Sequence, residues 1–265
     1  MNSAASPDKI VFDAVTCSFD LAGQPFLAVD QISLGSADGE FVTLVGPSGC
    51  GKSTLMNLAA GLLEPTAGEV RLDGRAIAGP SPERGVIFQQ YALFPWLTVS
   101  QNIEFGLTIK HTPKRERAAI VRKCLDLVGL GQFAHALPKT LSGGMKQRCA
   151  IARAYAVNPQ ILLMDEPFGA LDALTRVKMQ DQLLNTWTQD KRTVMFITHD
   201  VEEAVYLANR VVVMAAGPGR IQQIIPVDLP YPRTEAIRLS EAFLQIKNAV
   251  WRAVYHQTTP ISSER

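Results

Sequence analysis

The residues best suited to chemistry begin with a glycine-rich segment that matches the phosphate-binding pattern G-x-x-x-x-G-K-[ST]. It consists of Gly46, Pro47, Ser48, Gly49, Cys50, Gly51, Lys52 and Ser53, and we add Thr54 to the predicted nucleotide-binding residues. Glycines let the backbone curl around a polyphosphate and aim N–H groups at it, and the following helix adds its positive N-terminal end. Lys52 is expected to pair with the β- and γ-phosphates, and Ser53 to hold Mg²⁺. The alternative is a strand-to-helix turn without a ligand.

Two adjacent carboxylates, Asp165 and Glu166, end an apolar run that starts at Ile161. Carboxylates at the end of a buried strand are costly without a cation or a metal nearby. The phosphate-binding segment already requires a magnesium partner, so we predict that this pair belongs to the same site. The alternative is a helix N-cap, because Asp-Glu-Pro can also open a turn.

A third segment, from Leu141 to Arg148, reads Leu-Ser-Gly-Gly-Met-Lys-Gln-Arg. Ser142 is a good N-cap for a helix that starts at Gly143 or Gly144, and the cap leaves the glycine amides at the positive end of the helix. The phosphate-binding segment already surrounds a triphosphate on one side, so these amides have no triphosphate to bind within their own subunit. On its own the segment would be an ordinary helix start.

In this order, the three segments resemble those of the nucleotide-binding subunits of ABC transporters, whose signature sequence is LSGGQ-like. Met145 replaces the usual Gln, a variation common among importers of that family. The resemblance covers roughly residues 10 to 225 and includes all the family motifs in order. It implies an α/β fold with a P-loop NTPase core and parallel sheet, an N-terminal antiparallel β layer and an inserted helical subdomain. It also implies an ATPase that uses ATP and Mg²⁺.

The resemblance assigns roles to three residues beside the triphosphate. Asp165 corresponds to the Walker B aspartate, which contacts Mg²⁺ through water. Glu166 corresponds to the general base that polarises the attacking water, a role that depends first on geometry. His199, in Thr-His-Asp after another apolar run, corresponds to the switch histidine that contacts the γ-phosphate. A lone histidine is otherwise usually an ordinary surface or core residue.

Two further roles implied by the resemblance have competing candidates. Gln89 corresponds to the Q-loop glutamine, which links Mg²⁺ and water to the membrane partner, and we prefer it to Gln90 because it directly follows a Val-Ile-Phe run. Phe19 is the preferred aromatic residue for stacking on adenine. Phe26 also lies upstream of the phosphate-binding segment, and either phenylalanine could be a core residue.

The resemblance also implies a quaternary structure. Ser142, Gly143 and Gly144 of one subunit are expected to close over ATP held by a second copy, in a head-to-tail homodimer that sandwiches two ATP molecules. Asp172, in the run Ala-Leu-Asp, resembles the D-loop residue that crosses this interface. The implied partners are two transmembrane permease subunits and, indirectly, a solute-binding protein. No nucleic acid is expected.

A narrower likeness concerns the group of importers for nitrate, sulfonates, taurine and bicarbonate. It rests on residues 91–96, 165–172 and 218–221. The first run reads Tyr-Ala-Leu-Phe-Pro-Trp, and we interpret Phe94 and Trp96 as part of a groove for a short cytosolic helix of a membrane subunit. Packing in the core is the alternative. Substrate chemistry resides in the partner subunits, so the solute class is an analogy.

Apolar runs and the segments between them predict the elements that position these residues. Buried parallel strands are predicted at Phe41–Val45, Ile161–Met164 and Val194–Ile197, and helices at Lys52–Gly61, Met145–Val157 and Ala173–Thr188. This alternation indicates an α/β core with active loops at the carboxyl ends of the strands. Residues 10–40 and 68–78 read as short strands broken by glycine, which predicts an antiparallel layer beside the parallel sheet.

We assign residues 8–228 to the ATPase domain, with the helical subdomain at about 91–150, and residues 229–265 to a short C-terminal helical extension. A helical stripe of apolar residues predicts that the extension packs on its own domain. The stripe consists of Leu239, Phe243, Ile246, Val250 and Val254. The shortness of the extension fits the same importer group, because maltose-type importers add a larger C-terminal regulatory domain.

The composition of the 265 residues excludes several classes. A net charge of +1 gives no field for nucleic acid or an anionic membrane surface, and no apolar stretch is long enough to span a membrane. The N-terminal residues lack the basic and apolar regions of a secretory signal. We therefore expect a peripheral subunit at the cytoplasmic face of the inner membrane.

The four cysteines lack the paired spacing of a disulfide framework or a zinc site, so reduced and mostly buried thiols are expected. They are Cys17, Cys50, Cys124 and Cys149. Cys50 is the expected exception, because it lies inside the phosphate-binding segment. A thiol reagent at Cys50 should block nucleotide binding.

Other protein classes account for fewer of these features. ABC ATPases of DNA repair or chromosome organisation split their motifs across a long coiled coil, and translation-associated ones carry two cassettes. A small-molecule kinase has no use for the segment from Leu141 to Arg148. A protein that only binds nucleotide would not need Glu166 and His199.

Overall fold

The computed structural model describes residues 8–255, which form two sheets flanked by helices. Residues 1–7, where we expect no secretory signal, and residues 256–265 of the predicted extension lie outside the described residues. The strands are β1 (Asp8–Leu21), β2 (Gln24–Ala37), β3 (Phe41–Val45), β4 (Ala67–Leu72), β5 (Arg75–Ala76), β6 (Arg84–Ile87), β7 (Ile161–Asp165), β8 (Thr193–Ile197), β9 (Arg210–Ala215) and β10 (Arg220–Pro226). The α-helices are α1 (Lys52–Ala60), α2 (Val99–Ile109), α3 (Lys114–Leu127), α4 (Gly143–Ala156), α5 (Ala173–Asp190), α6 (Val201–Leu207), α7 (Glu235–Arg238) and α8 (Glu241–Tyr255).

The larger sheet carries the functional segments. Its strand order is β10-β9-β3-β8-β7-β6, and the strands from β9 to β6 run parallel, with β10 antiparallel at one edge. Every residue of β3, β7 and β8 is buried, as in a sheet with helices on both faces. The three predicted strands and the α/β class are therefore confirmed, and α1, α4 and α5 confirm the three predicted helices.

The smaller sheet is the predicted antiparallel layer, in the order β2-β1-β4-β5. A tight turn at Ala22 and Gly23 joins β1 to β2, and both residues have positive φ angles, of 55° and 81°. Side chains from β1 and β2 pack with those of α1 in one core cluster. This layer therefore supports the segment that leads into α1.

The stretch from 91 to 150 is mostly helical, as predicted. It contains α2, α3, the start of α4 and two short 3₁₀ turns, at Gly131–Phe133 and Pro138–Thr140. Thr98 begins α2 with a capping box, in which its hydroxyl accepts from the Gln101 N–H and the Gln101 side chain accepts from the Thr98 N–H. The bounds of a separate helical subdomain stay a prediction.

The C-terminal extension packs against the rest of the chain through its apolar stripe, as predicted, but the stripe is interrupted. Phe243 and Val250 of α8 are fully buried in the main core cluster, and Ile246 and Val254 pack against it. Leu239 was predicted to join them, which is wrong, because 78% of its surface is exposed. The helix ends at Arg238 and restarts beyond Ser240, whose hydroxyl accepts from the Phe243 N–H, so Leu239 falls in the break. Within residues 8–255, no helix is long and apolar enough to cross a membrane.

Candidate nucleotide site

The phosphate-binding segment forms the loop between β3 and α1, and neighbouring strands press against it. A side chain at Gly46 would place its Cβ 2.5 Å from the Met214 carbonyl oxygen of β9. A side chain at Gly51, where φ is 86°, would place its Cβ 2.3 Å from Val29 Cγ1 of β2. Only glycine fits at these two positions, because both approaches are far shorter than a van der Waals contact.

Lys52, the first residue of α1, turns back over this loop. Its ammonium donates to the carbonyl oxygens of Gly46, at 2.8 Å, and Pro47, at 2.9 Å. The loop therefore holds a cation at the N-terminal end of a helix, where a helix dipole also favours negative charge. Both features suit a polyphosphate.

Ser53 and Asp165, 112 residues apart in sequence, meet at the start of α1. The Ser53 hydroxyl donates to Asp165 Oδ2 at 2.8 Å. Burial raises the pKa of the Asp165 carboxyl, and the hydrogen bond from Ser53 opposes this effect. A nearby divalent cation would also stabilise the buried charge.

The donor set fits Mg²⁺, which prefers oxygen ligands and keeps several waters. Ser53 supplies a hydroxyl oxygen and Asp165 a carboxylate, both at the mouth of the phosphate-binding loop. Across residues 8–255, no group of three or more His, Cys, Asp and Glu side chains could hold a metal ion on its own. An ion at this position would therefore depend on phosphate oxygens and water for its remaining ligands.

Glu166 contacts two other predicted site residues, Gln89 and His199. Its Oε2 atom accepts from Gln89 Nε2 at 3.1 Å and lies 3.3 Å from His199 Nδ1. Gln89, rather than Gln90, makes this contact, because the chain leaves β6 with Gln89 facing the cleft and Gln90 does not line it. A carboxylate, an amide and an imidazole thus lie together beside the phosphate-binding loop.

The backbone of Glu166 adopts an unusual conformation. Its φ angle is 45°, in the left-handed region that costs a non-glycine residue about 1 kcal/mol or more. Two hydrogen bonds hold it there: the Glu166 N–H donates to the Ile197 carbonyl oxygen at 3.0 Å, and the Gly169 N–H donates to the Glu166 carbonyl oxygen at 3.1 Å. The turn swings the carboxylate out of the line of β7 and towards the cleft.

These groups line one open cleft of about 390 Å³. Besides Phe26, Ala28 and Ile197, its lining contains ten of the predicted site residues: Phe19, Ser48, Gly49, Gly51, Lys52, Ser53, Thr54, Gln89, Asp165 and Glu166. His199 reaches the same place through Glu166, with two thirds of its side chain exposed. Gly46, Pro47 and Cys50 support the loop without lining the cleft.

Phe19 and Phe26 both lie at the cleft, so the structure does not favour one of them for stacking on a base. They are cross-strand partners in the β1–β2 pairing. The sequence contained a signal for this pairing, because the two residues are equally distant from the turn at Ala22 and Gly23. A hairpin centred on that turn places the two rings side by side.

Cys50 differs from the prediction made for it. Its side chain is fully buried beneath the phosphate-binding loop, in the core cluster that contains Val29 and Met214. The expectation that a thiol reagent at Cys50 would block nucleotide binding is therefore wrong for the folded chain, because the reagent cannot reach the sulfur. The other three cysteines are also free and buried, as predicted.

The segment from Leu141 to Arg148, which resembles the family signature, does not line the cleft of its own chain. Ser142 caps α4 as predicted, with its hydroxyl oxygen accepting from the Met145 N–H at 3.3 Å, and the helix begins at Gly143. A Cβ at Gly143 would lie 3.0 Å from the Tyr91 hydroxyl oxygen, and one at Gly144 would lie 3.0 Å from Leu171 Cδ2. The segment is thus held beside two other motif regions, away from the phosphate-binding loop.

Asp172 has a local role at the start of α5. Its carboxylate accepts from the Thr175 N–H at 3.0 Å, and this backbone hydrogen bond lowers the pKa of Asp172. The residue is an N-cap at an exposed position. A contribution to a second subunit stays a prediction.

The aromatic run is divided between packing and exposure. The Phe94 ring lies 4.3 Å from the Phe105 ring, centroid to centroid, and the Arg153 guanidinium lies 5.7 Å from the Phe94 ring. Trp96 is 71% exposed, and its ring lies 5.7 Å from the Phe94 ring, centroid to centroid. The Phe94 ring is therefore partly buried against its neighbours, whereas the Trp96 side chain lies on an exposed patch.

Comparisons with known proteins agree on one family. The model for the ABC transporter family matches residues 29–169. The chain is 72% identical over 232 residues, 88% of its length and 89% of the other, to an ATP-binding protein of Brucella abortus. It is 45% identical over 241 residues to the aliphatic sulfonates import ATP-binding protein of Bacillus cereus, covering 91% and 94% of the two chains.

Two further similarities extend this comparison. The bicarbonate transport ATP-binding protein of Synechococcus elongatus is 50% identical over 228 residues, which cover 84% of this chain and 34% of that one. The fold is similar to a dimeric post-hydrolysis state of an ATP-binding cassette bound to ADP and phosphate, with a TM-score of 0.77 and 33% identity. That similarity covers 83% of this chain and 100% of the solved one.

Proposed function

The chain belongs to the ABC transporter family as an ATP-binding subunit whose ATP hydrolysis is coupled to transport, and we propose that it energises the uptake of a small anion or sulfonate. The solute class rests on the relatives named for aliphatic sulfonates and for bicarbonate. The proposal includes nitrate and taurine, because residues 91–96, 165–172 and 218–221 resemble that importer group. We assign residues 8–228 to the ATPase domain, with its helical subdomain at about 91–150.

One observation carries the assignment of catalysis: the Gln89–Glu166–His199 cluster stands beside the Ser53–Asp165 pair in a single cleft. In the proposed mechanism Glu166 is the general base that takes a proton from the attacking water. Gln89 holds the same carboxylate oxygen and orients it. His199, whose Nδ1 atom lies 3.3 Å from the same oxygen, would contact the γ-phosphate.

The rest of the site binds and orients ATP. When ATP binds, the Lys52 ammonium would leave the loop carbonyl oxygens and pair with the β- and γ-phosphates. One of the two phenylalanines, Phe19 or Phe26, stacks on adenine. Ser53, Asp165 and Gln89 would hold Mg²⁺, and the bound ion would neutralise phosphate charge. Catalysis by positioning and charge stabilisation is the usual mode of phosphoryl transfer.

The active unit in this proposal is a head-to-tail homodimer. Ser142, Gly143 and Gly144 lie outside their own cleft, so their helix-end amides are free to close over ATP of a second copy. Asp172 stands at the exposed start of α5, where it can meet that copy. The solved neighbours of this fold are described as dimers, which supports the arrangement.

The patch around Trp96 would receive a short cytosolic helix of each of two permease subunits, which places this chain at the cytoplasmic face of the inner membrane. Exposed apolar side chains beside a half-buried ring suit a helix-in-groove contact. A solute-binding protein would act indirectly, through those permease subunits.

The test is reconstitution of the chain with its permease and solute-binding partners in vesicles. The measurement is the ATPase rate with nitrate, bicarbonate, taurine, alkanesulfonates and aromatic sulfonates in turn. Stimulation by one of these solutes, accompanied by its accumulation in the vesicle, supports the proposal and identifies the cargo. An ATPase rate that is the same with every solute contradicts the proposed anion and sulfonate class. It does not contradict ATP hydrolysis by this chain.

A further inference from the structure

The C-terminal extension contacts α5 and α6 through a largely buried cation, Arg238. Arg238, the last residue of α7, leaves 13% of its side chain exposed and covers the Tyr206 ring of α6 at 3.5 Å from its centroid. Its Nη2 atom donates to Gln180 Oε1 of α5 at 2.8 Å. Asp181 and Glu202 flank the guanidinium at 3.9 Å and 3.5 Å. Arg238 therefore joins the extension to α5 and α6 together.

The contact with Arg238 fixes which way the Gln180 amide points. A guanidinium only donates hydrogen bonds, so Gln180 must turn its carbonyl oxygen towards Arg238 and its NH₂ group away. That NH₂ group donates to Glu203 Oε1 of α6 at 2.8 Å. Gln180 and Glu203 are both almost fully buried. Without Arg238 the carbonyl oxygen loses its partner, and a flipped amide would face the carboxylate with another acceptor.

Glu203 contacts both Thr198 and Asp200, the two residues on either side of His199. The Thr198 hydroxyl lies close enough to the Glu203 carboxylate to lower its pKa, and the same hydroxyl oxygen accepts from the Asp200 N–H at 3.0 Å. The Asp200 carboxylate in turn accepts from the Glu203 N–H at 3.1 Å and caps α6. Both neighbours of His199 are thus tied to Glu203. Burial raises the pKa of Glu203, and the bonds from Thr198 and Gln180 oppose the shift.

The His199 side chain has little packing of its own. Two thirds of it is exposed, and its contact with Glu166 at 3.3 Å depends on where the backbone holds the ring. We propose that Arg238 is a positioning residue for His199, acting through Gln180, Glu203 and Thr198. This inference rests on the proposed role of His199, and it gives the C-terminal extension a part in ATP hydrolysis.

The test uses the ATPase kinetics of the full chain. Arg238→Met keeps a long apolar side chain over Tyr206 but removes the donor to Gln180, and we expect kcat to fall about 10-fold with KM for ATP within about twofold. Arg238→Lys restores a donor and should recover part of kcat. Lys247→Ala is the matched control, because Lys247 donates to Glu202 at 2.7 Å without touching Gln180. Its kcat should equal that of the unchanged chain.

A second comparison separates positioning from a general loss of stability. Combined with His199→Ala, Arg238→Met should lower kcat no further, because its effect passes through the missing imidazole. A tenfold further loss in that background, or a kcat for Arg238→Met equal to that of Lys247→Ala, would overturn the inference. If His199→Ala alone turns over ATP at the unchanged rate, the proposed role of His199 fails instead. Melting temperatures of all variants show whether each one is folded.

Discussion

Replacing Glu166 by glutamine should separate ATP hydrolysis from ATP binding. Gln89 Nε2 and His199 Nδ1 both approach one atom, Glu166 Oε2, at 3.1 Å and 3.3 Å. An amide oxygen can occupy that place and accept the same contacts, and the φ of 45° is set by backbone hydrogen bonds that the variant keeps. Glu166→Gln therefore removes a base without moving its neighbours.

The expected loss follows from what a positioned base contributes. General base catalysis is worth about 10²–10⁴-fold in rate. At about 1.4 kcal/mol for each factor of ten, the loss corresponds to about 3–6 kcal/mol of transition-state stabilisation. ATP affinity should change less than about threefold, because Lys52 and Ser53, the predicted phosphate and Mg²⁺ contacts, are unaltered.

The assay is phosphate release in a single turnover, alongside titration of a fluorescent ATP analogue. Lys52→Ala is the control with the opposite pattern, because it removes the cation that meets the phosphates and should weaken binding itself. Glu166→Gln should instead bind ATP normally and accumulate an ATP-bound dimer. Unchanged turnover in Glu166→Gln, or a loss of affinity as large as in Lys52→Ala, would refute the assignment of Glu166 as the base.

Three further predictions follow from burial and exposure. Trp96→Ala should lower solute-stimulated ATPase in vesicles and spare basal ATPase, since the side chain is 71% exposed; equal loss of both would contradict a docking role. Phe243→Ala should reduce the free energy of unfolding by about 3–5 kcal/mol, while Leu244→Ala, half-exposed on the next position, should change it by less than about 0.5 kcal/mol, both measured by denaturant titration. Alkylation at pH 8 should leave Cys50 unmodified with or without ATP, and Cys149 too, because burial raises the pKa of Cys149 to about 12; rapid labelling of either would be inconsistent with this packing.

Local sequence patterns predicted the elements that hold the site. Phe41–Val45 is a strand over the predicted range, because four apolar residues and one threonine before a glycine-rich turn can be buried on both faces of a sheet. Ser142 caps α4 as predicted, because the bond from the Met145 N–H needs only residues three positions apart. The antiparallel layer was also recognisable, since glycine breaks mark its turns. Such features depend on neighbours in sequence.

Features that depend on distant neighbours were not predictable in the same way. Cys50 lies inside a loop motif, yet its side chain turns into a core made by β2 and β9, so its position in the motif gave the wrong exposure. Leu239 matched the helical period, but the Ser240 cap restarts the helix and leaves Leu239 outside. The contact from Arg238 to Gln180 joins residues 58 positions apart, and no periodicity marks it.

The three polar residues that begin α4, α5 and α6 help to explain how one chain could prepare the site that a second copy completes in the proposed dimer. Ser142, Asp172 and Asp200 each use a side-chain oxygen to cap their own helix. Their oxygens are thus engaged locally, and each helix is fixed at its N-terminal end before any second subunit arrives. What remains available to a partner is the positive end of α4 and the exposed start of α5. The cap of α6, by contrast, directly follows His199, whose Nδ1 atom lies 3.3 Å from Glu166 Oε2. The same kind of helix cap therefore stands at both the proposed interface and the proposed catalytic cluster, and in each case it fixes the backbone locally.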